Sequence, residues 1–156
     1  MPFYSRKSNR LPGYDYSSEN YYFLTICTHN KQCLFGKPKE LNALGEIAKE
    51  CIEEIPRIYS SLKVDNYIVM PNHIHMILVL EYSDSNDLHL EIPKIIGQYK
   101  MAVSKKIHKI FPNLIVWQRS FHDHIIRNQQ AYEKIWNYVE YNDQKWEDDC
   151  FYCNEI

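Results

Sequence analysis

The sequence predicts an α+β fold in which helices pack against an antiparallel sheet. Segments rich in β-branched and aromatic residues alternate with segments whose apolar residues recur every three or four positions. Two apolar runs are separated only by turn residues, which indicates a β-hairpin, and the sequence has no Gly-rich loop of the kind found in nucleotide-binding parallel sheets. These observations favour antiparallel pairing. The length of 156 residues, 45% of them hydrophobic, suits one domain over residues 1–156.

The predicted elements follow a polar, basic segment, residues 1–20, which we expect to be an arm outside the core. Aromatic and β-branched runs predict strands, and amphipathic spacing predicts helices, the first of them ended by Pro56. In chain order, the elements are a strand at 21–28, a turn at 29–31, a short strand or loop at 32–35, a helix at 40–55, a hairpin at 67–80, an exposed loop at 82–90, a helix at 92–110, short strands at 115–117 and 121–126, and a helix at 129–147.

The hairpin at residues 67–80 carries two histidines directly after its predicted turn, Pro71-Asn72. Residues two apart on a strand point to the same face, so the imidazoles of His73 and His75 are expected to project together. Imidazole nitrogen is the commonest metal ligand in proteins. Taken alone, the same pattern also fits two half-buried histidines that only make hydrogen bonds to the backbone.

The last predicted helix contains Tyr138 and Asn142, which are four residues apart and therefore share a face. If that face lies over the histidines, the site combines imidazoles, an amide oxygen and a phenol, a donor set that suits Mg²⁺ or Mn²⁺ acting on a phosphate. The chain has 13 tyrosines, and spacing alone does not select Tyr138 over Tyr132, Tyr141 or Tyr99.

Five stretches of the sequence carry a family resemblance. Residues 70–75, MPNHIH, resemble the His-hydrophobic-His motif of HUH endonucleases. Four others are similar to REP-associated tyrosine transposases, relatives of the small single-tyrosine insertion-sequence transposases. These are RLPGYDYS at 10–17, YYFLTICTHNKQCLFG at 21–36, VWQRSFHDHIIRN at 116–128 and NYVEYN at 137–142. The order and spacing of the five stretches, from residue 10 to about residue 146, make the resemblance far more specific than two histidines.

The resemblance implies the ferredoxin-like sandwich of HUH endonucleases and a transposase that cleaves and rejoins single-stranded DNA. It assigns Tyr138 as the nucleophile that forms a 5′-phosphotyrosine, and His73, His75 and Asn142 as the ligands of Mg²⁺ or Mn²⁺. The implied partner is DNA with hairpins formed by REP-like palindromes, and the protein would act as a monomer or a homodimer. Relatives often have proline after the asparagine, where this chain has Asp143, so we expect its helix to end differently. The short segment after residue 146 weakens the expectation of tight hairpin binding.

The net charge of −2 argues against indiscriminate binding of nucleic acid, but the charge is unevenly distributed. Residues 94–127 hold seven basic residues and one acidic residue, and residues 1–37 hold five basic and two acidic residues. These segments could form a surface that follows a phosphate backbone, or they could be solvated faces. The candidate DNA-binding residues are Arg6, Lys7, Arg10, Lys100, Lys105, Lys106, Arg119 and Arg127.

Two other functions fit the same residues. The domain could bind single-stranded or hairpin DNA without cleaving it, although the intact Tyr138 and histidine pair count against this. It could also be a metal-dependent hydrolase that uses water. Only the transposase function predicts a covalent protein–DNA adduct, so the presence or absence of an adduct separates it from the other two.

His122, Asp123 and His124 lie on a predicted strand, and their role stays open. They could form a second site, orient a metal-ligating imidazole through Asp123, pack beneath the last helix, or contact DNA. The five cysteines show no regular spacing, so we expect no disulfide framework. Cys150 and Cys153 could form a zinc site with His122 and His124, but we expect them to be free thiols. No apolar run reaches the length of a membrane span, so a cytoplasmic protein is expected.

Overall fold

The computed structural model describes residues 9–83 and 89–152. Its main sheet has four strands, and its helices are joined to them by short loops. In chain order the elements are β1 (Asn20–Cys27), β2 (Gly36–Lys37), β3 (Glu40–Leu41), α1 (Ala43–Ile58), β4 (Leu62–Met70), β5 (His73–Leu80), α2 (Ile92–Ile107), β6 (His122–Ile126) and α3 (Gln129–Glu140). Short 3-10 helices cover His29–Lys31 and Asn142–Asp148. The second of these is called the C-terminal 3-10 helix below.

The four strands of the main sheet lie in the order β4-β5-β1-β6, and every neighbouring pair is antiparallel. The predicted α+β fold with an antiparallel sheet is therefore confirmed. β5 is an inner strand, and all eight of its residues are buried. The predicted hairpin joins β4 to β5 through a turn at Pro71 and Asn72, with Met70 paired to His73.

The two faces of the sheet differ in how much core they bury. Helices α1 and α2 cover one face and enclose the main core, which includes Leu24, Ile74 and Met76 from the sheet. Helix α3 covers part of the other face, where Ile77, Ile126 and Val139 form a small second core. Because side chains alternate along a strand, the two neighbours of Ile74 on β5 point to the opposite sheet face, which is the face that α3 partly covers. His73 and His75 are on that face.

The ends of all three helices differ from the expected positions, and α2 ends at Ile107 instead of residue 110. Helix α1 runs through Pro56 to Ile58, so the prediction that Pro56 ends the helix is wrong. The proline removes one backbone donor in the last turn, and the helix continues because its apolar face is buried through Ile55. Helix α3 ends at Glu140 instead of residue 147, because Tyr141 leaves the helical region and the chain continues as the C-terminal 3-10 helix.

The loops also differ from expectation. Residues 115–117 form no strand, and only an isolated bridge joins Trp117 to Thr28. A small hairpin, β2–β3, precedes α1 and was not predicted. Gly36 begins it with a positive φ of 94°, and a Cβ at this position would lie 2.6 Å from the backbone nitrogen of Asn42. The turn therefore requires glycine.

Two further expectations concern disulfides and membranes. Cys33 is disulfide-bonded, which the spacing of the cysteines did not predict, whereas Cys27, Cys51 and Cys150 are free thiols. Cys153 lies outside the described residues. None of the helices within residues 9–83 and 89–152 combines the length and hydropathy that crossing a bilayer requires.

Candidate active site and metal centre

The centre of the candidate site is the pair of histidines at the start of β5. The His73 and His75 side chains are 0% and 2% exposed, and their ring centroids are 4.6 Å apart. The pair lies one strand in from the edge of the sheet, where the backbone is fixed by pairing on both sides. The shared face that the sequence predicts is therefore present.

Each imidazole is oriented through its Nδ1 atom. The Asn72 amide nitrogen donates to the carbonyl oxygens of Lys31 and Phe151, which directs its Oδ1 toward His73 Nδ1 at 2.8 Å. An amide oxygen only accepts, so the proton of the neutral His73 ring is on Nδ1. His75 Nδ1 lies 2.9 Å from the hydroxyl of Thr25 on the neighbouring strand. These contacts leave both Nε2 atoms available as ligands.

The Nε2 atoms of both rings are buried, and neither has a hydrogen-bond partner among the residues that the structure describes. Burial lowers the pKa of His73 to about 4, a shift that the charge of Asp149 partly opposes. Burial, and then the neighbouring His73, hold the pKa of His75 well below its usual range. Both rings are therefore neutral near pH 7, which is the form that binds a metal.

Asn142 lies at the first residue of the C-terminal 3-10 helix, beside His73 and Tyr138. Its side chain is 3% exposed, and its Oδ1 is buried without a hydrogen-bond partner in the described part of the chain. Tyr138 and Asn142 do lie near each other, as their spacing predicts. They do not share one α-helix, however, because α3 ends between them.

Asp149 is a site residue that the sequence did not reveal. Ligand atoms of His73, His75 and Asp149 all lie within 4.8 Å of one another, and the Asp149 side chain is 2% exposed. In the sequence this aspartate follows Glu147 and Asp148, a run that is typical of a solvated surface. Its burial at the end of the C-terminal 3-10 helix is the only signal that distinguishes it.

These donors together fit a divalent cation. Two imidazole nitrogens, a carboxylate and an amide oxygen form a mixed nitrogen and oxygen set, which suits Mn²⁺ at least as well as the more oxygen-selective Mg²⁺. The buried Nε2 atoms and the Asn142 Oδ1 have lost their contact with water, and a bound cation would satisfy all three.

Tyr138 projects from α3 next to this centre. Its ring centroid is 5.2 Å from that of His75 and 6.2 Å from that of Phe23, and the residue is 45% exposed. Partial burial, and then the charge of Asp149, raise the pKa of the Tyr138 hydroxyl, so the phenol is protonated near neutral pH. The attacking form would require a nearby positive charge.

The other candidate tyrosines are placed differently. Tyr99 is buried in the main core and its hydroxyl donates to the Ala48 carbonyl. The Tyr132 hydroxyl donates to Asp65 at 2.5 Å. Tyr141 is exposed and lies one turn after Tyr138, in the same groove.

A groove of about 430 Å³ lies beside α3 and the C-terminal 3-10 helix, and Tyr138 is part of its lining. Its lining residues are Lys134, Asn137, Tyr138, Tyr141, Asn142, Lys145, Asp148, Asp149 and Cys150. We call it the α3 groove. It connects the solvent to the buried donors, because Asn142 and Asp149 belong both to its lining and to the metal centre.

The predicted DNA-binding residues fall into three groups. Arg10 pairs with Asp123 and its guanidinium lies 3.5 Å above the Phe121 ring. Lys100 donates to the carbonyls of Gln118 and Ser120, and Lys106 lies 3.4 Å from Glu54. Exposed members are Lys105, Arg119 and Arg127, whereas Arg6 and Lys7 lie outside the described residues.

The strand β6 separates its polar residues between the two faces. Asp123 accepts from Arg10 and Tyr16, on the face opposite to the histidine pair, so the idea that it orients a metal-ligating imidazole is wrong. His122 is paired with Thr25, the residue that contacts His75, and both His122 and His124 are exposed. The face of the histidine pair therefore continues to the edge of the sheet.

Comparison with known proteins gives a consistent picture of the fold. An uncharacterized protein of Haemophilus influenzae is 35% identical over 167 residues, covering 94% of this chain and 93% of the relative. A REP-associated tyrosine transposase bound to a REP hairpin matches with a TM-score of 0.61 at 19% identity, over 87% of this chain and 73% of that chain. A putative transposase from Deinococcus radiodurans R1 matches with a TM-score of 0.53 at 18% identity, over 84% and 96% of the two chains. The model of the family "Transposase IS200 like" matches residues 16–142. The chain thus belongs to the IS200-like transposase family.

Proposed function

We propose that the protein cleaves and rejoins single-stranded DNA beside hairpin-forming sites, through a 5′-phosphotyrosine on Tyr138. The observation that carries this proposal is the position of Tyr138, whose ring centroid lies 5.2 Å from that of His75. The neighbouring centre holds three buried ligand atoms that have no hydrogen-bond partner among the described residues. A transposase needs a nucleophile next to a group that stabilises phosphate charge. Tyr138 would be the nucleophile, and a cation held by these ligand atoms would stabilise the charge.

The residues of the chain have separate roles in this reaction. Asn72 and Thr25 hold the two imidazoles so that their Nε2 atoms face the centre. A divalent cation, Mg²⁺ or Mn²⁺, held by His73, His75 and Asn142 would stabilise negative charge on the scissile phosphate. We add Asp149 as a further protein ligand, because its carboxylate lies in the same cluster.

Tyr138 is the nucleophile in this proposal. Its oxygen attacks the phosphorus, the bond from phosphorus to the 3′-oxygen breaks, and the hydroxyl proton passes to solvent, to which the half-exposed residue has access. The released 3′-hydroxyl can attack the phosphotyrosine, which restores the phosphodiester and the tyrosine. Because the bond energy is kept in the intermediate, the same site can both cleave and rejoin.

The proposed partner is single-stranded DNA that carries a hairpin of the REP type. A protein of the same fold was solved with a REP hairpin, which supports this choice of partner. Lys105, Arg119 and Arg127 are exposed and can contact backbone phosphates. In this proposal the protein acts on DNA in the cytoplasm, as a monomer or as a homodimer.

The first prediction is that Tyr138→Phe abolishes covalent attachment to DNA while the fold and metal binding persist, because only the hydroxyl is removed. The measurement is a denaturing gel of a labelled hairpin oligonucleotide incubated with Mn²⁺ or Mg²⁺. The label on the 3′ side of the cut should migrate with the wild-type protein.

Tyr141→Phe is the matched control, since it removes a hydroxyl from the same groove and should retain the adduct. An adduct that survives in Tyr138→Phe would contradict the assignment of the nucleophile. Free 5′-phosphate without an adduct would indicate hydrolysis by water, and uncut DNA would indicate a binding domain.

A further inference from the structure

We propose that the α3 groove binds the single strand on both sides of the scissile phosphate, with Lys134 and Lys145 contacting phosphates and Tyr141 stacking on a base. This inference rests on the proposed function, because it places the strand relative to Tyr138. It adds three residues that lie outside the basic segments of the sequence, in a C-terminal region that is acidic overall.

The first argument is the alignment of the side chains. Lys134 and Tyr138 are four residues apart on α3 and therefore share a face, and Tyr141 is the first residue after the helix. All three are exposed and line the α3 groove. Lys134 precedes Tyr138 by one helical turn, about 6 Å along the axis. The opposite side of the helix, including Val139, is packed on the sheet.

The second argument is that the lining of the α3 groove continues past the end of α3. Lys145 belongs to the C-terminal 3-10 helix, is exposed, and lines the same groove. The groove therefore has one lysine from α3 and one from the C-terminal 3-10 helix in its lining, together with Tyr138 and Tyr141. A strand whose phosphate reaches Tyr138 would have two lysines available for its neighbouring phosphates.

The third argument concerns charge. Lys134 and Lys145 form no ion pair with any residue in 9–83 or 89–152, in contrast to Lys106, which pairs with Glu54. Asp149 also lines the groove, but its side chain is almost fully buried next to His73. The exposed charges of the groove are two lysines and Asp148, so its surface favours an anion.

The chemistry of these side chains favours a single strand over a duplex. Exposed tyrosine rings stack on unpaired bases of any sequence, and lysines contact the backbone without reading the bases. In a duplex, the base faces are already stacked on each other and are not accessible. The α3 groove would therefore hold the strand without selecting its sequence.

The test measures binding of fluorescein-labelled oligo(deoxythymidine) in EDTA, where no metal is available for cleavage. The dissociation constant is measured over a range of salt concentrations for wild type, Lys134→Gln and Lys145→Gln. Each lost phosphate contact should reduce the slope of log K against log salt by about 0.7. Tyr141→Leu should weaken binding roughly tenfold, whereas Tyr141→Phe should retain it.

Lys63→Gln is the matched control. Lys63 is 72% exposed at the start of β4, opposite Val79, which lies about 20 Å along β5 from His73. Lys63→Gln changes the net charge by the same amount as Lys134→Gln or Lys145→Gln, but it should leave the slope of log K against log salt unchanged. Lys134→Arg and Lys145→Arg should keep the wild-type slope, which separates the loss of charge from damage to the fold.

The outcomes distinguish this inference from the proposed function. If the slope of log K against log salt is equal in wild type and in both Gln variants, Lys134 and Lys145 do not contact the strand, and the inference about the α3 groove is overturned. Cleavage by Tyr138 would not be contradicted by that result. A slope that falls equally in Lys63→Gln would also overturn it, because the effect would then reflect net charge. Failure of the wild type to bind any single strand would contradict the proposed function itself.

Discussion

His73, His75 and Asn142 bring three polar atoms into the interior without hydrogen-bond partners among the described residues. A buried polar atom without a partner costs about 1–3 kcal/mol, so three in one place are a substantial local cost. Simple structural histidines would be expected to satisfy both ring nitrogens. In both rings the Nδ1 atom has a hydrogen-bond partner, whereas the Nε2 atom has none among the described residues. A metal centre requires this arrangement, because Nε2 must be available to bind the ion.

The second prediction is that Mn²⁺ binds wild type and raises its melting temperature, and that His75→Ala loses the site. Binding to the folded state stabilises a protein in proportion to the logarithm of the ratio of metal concentration to dissociation constant. Calorimetric titration measures the affinity. Asp149→Asn should weaken it, because the amide retains the shape of the carboxylate but loses its charge.

The control for this titration is His108→Ala, which removes an exposed histidine at the end of α2 and should leave Mn²⁺ binding unchanged. Equal binding by wild type and His75→Ala would count decisively against the metal centre. Unchanged affinity in Asp149→Asn would leave the histidines as ligands and remove Asp149 from the set.

The third prediction concerns acid stability of the metal-free protein. Burial lowers the pKa of His73 to about 4, so the folded state takes up this proton only near pH 4, whereas the unfolded chain does so near pH 6.5. Lowering the pH through this window therefore favours unfolding, at a cost on the order of 3 kcal/mol for this residue.

Urea unfolding in EDTA at pH values across the window measures this effect. Carboxylates also destabilise proteins in acid, so the comparison is with His73→Leu, which cannot titrate. The variant should lose less stability between pH 6.5 and pH 4 than wild type does. Parallel pH profiles for the two proteins would show that His73 does not titrate in this way.

At the residue scale, the sequence predicted that His73 and His75 share one face of the sheet, because alternation along a strand is a reliable geometric rule. The family resemblance, and not the spacing, assigned Tyr138 as the nucleophile and Asn142 as a ligand, because spacing alone left four tyrosines equivalent. Asp149 could not be predicted, because nothing local distinguishes it from Asp148. Only the path of the chain after α3 determines which of the two carboxylates is buried.

The elements of the fold follow from local sequence except where the chain changes direction. Helix α3 begins at a strong signal, since the Asn128 side chain accepts from the Ala131 backbone N–H at 2.8 Å. Its end has no comparable signal. Asn142 and Asp143 favour non-helical hydrogen bonding, and Asp143 pairs with Lys39 of the β2–β3 turn at 2.9 Å. That distant contact is invisible in the sequence.

The fourth prediction is that Asn128→Ala destabilises the protein by about 1 kcal/mol, because an N–H at the start of α3 loses its acceptor. For a chain of this size the melting temperature should fall by about 3 °C. Asn128→Asp keeps an accepting oxygen and adds a favourable charge at the helix start, so it should match wild type. A fully stable Asn128→Ala would mean that the cap contributes nothing.

At the scale of the whole molecule, the two faces of the sheet differ in how many residues the helices bury against them. Helices α1 and α2 each bury six residues, whereas Val139 is the only buried residue that α3 contributes. The main core thus holds the sheet, and with it the histidine pair, independently of α3. The helix that carries Tyr138 is attached by the small second core, which permits it to open locally at low cost.

The fifth prediction follows from this asymmetry. Without metal, backbone amides of α3 should exchange with deuterium faster than those of α1 and α2, because opening α3 exposes little apolar surface. Mn²⁺ should slow exchange in α3 and the C-terminal 3-10 helix, since Asn142 and Asp149 would then be joined to the histidines of β5. Hydrogen exchange read by mass spectrometry measures both effects, and in His75→Ala the added Mn²⁺ should change nothing. If α3 is as protected as α1 without metal, the nucleophile is on a rigid element, and the metal would not be what orders it.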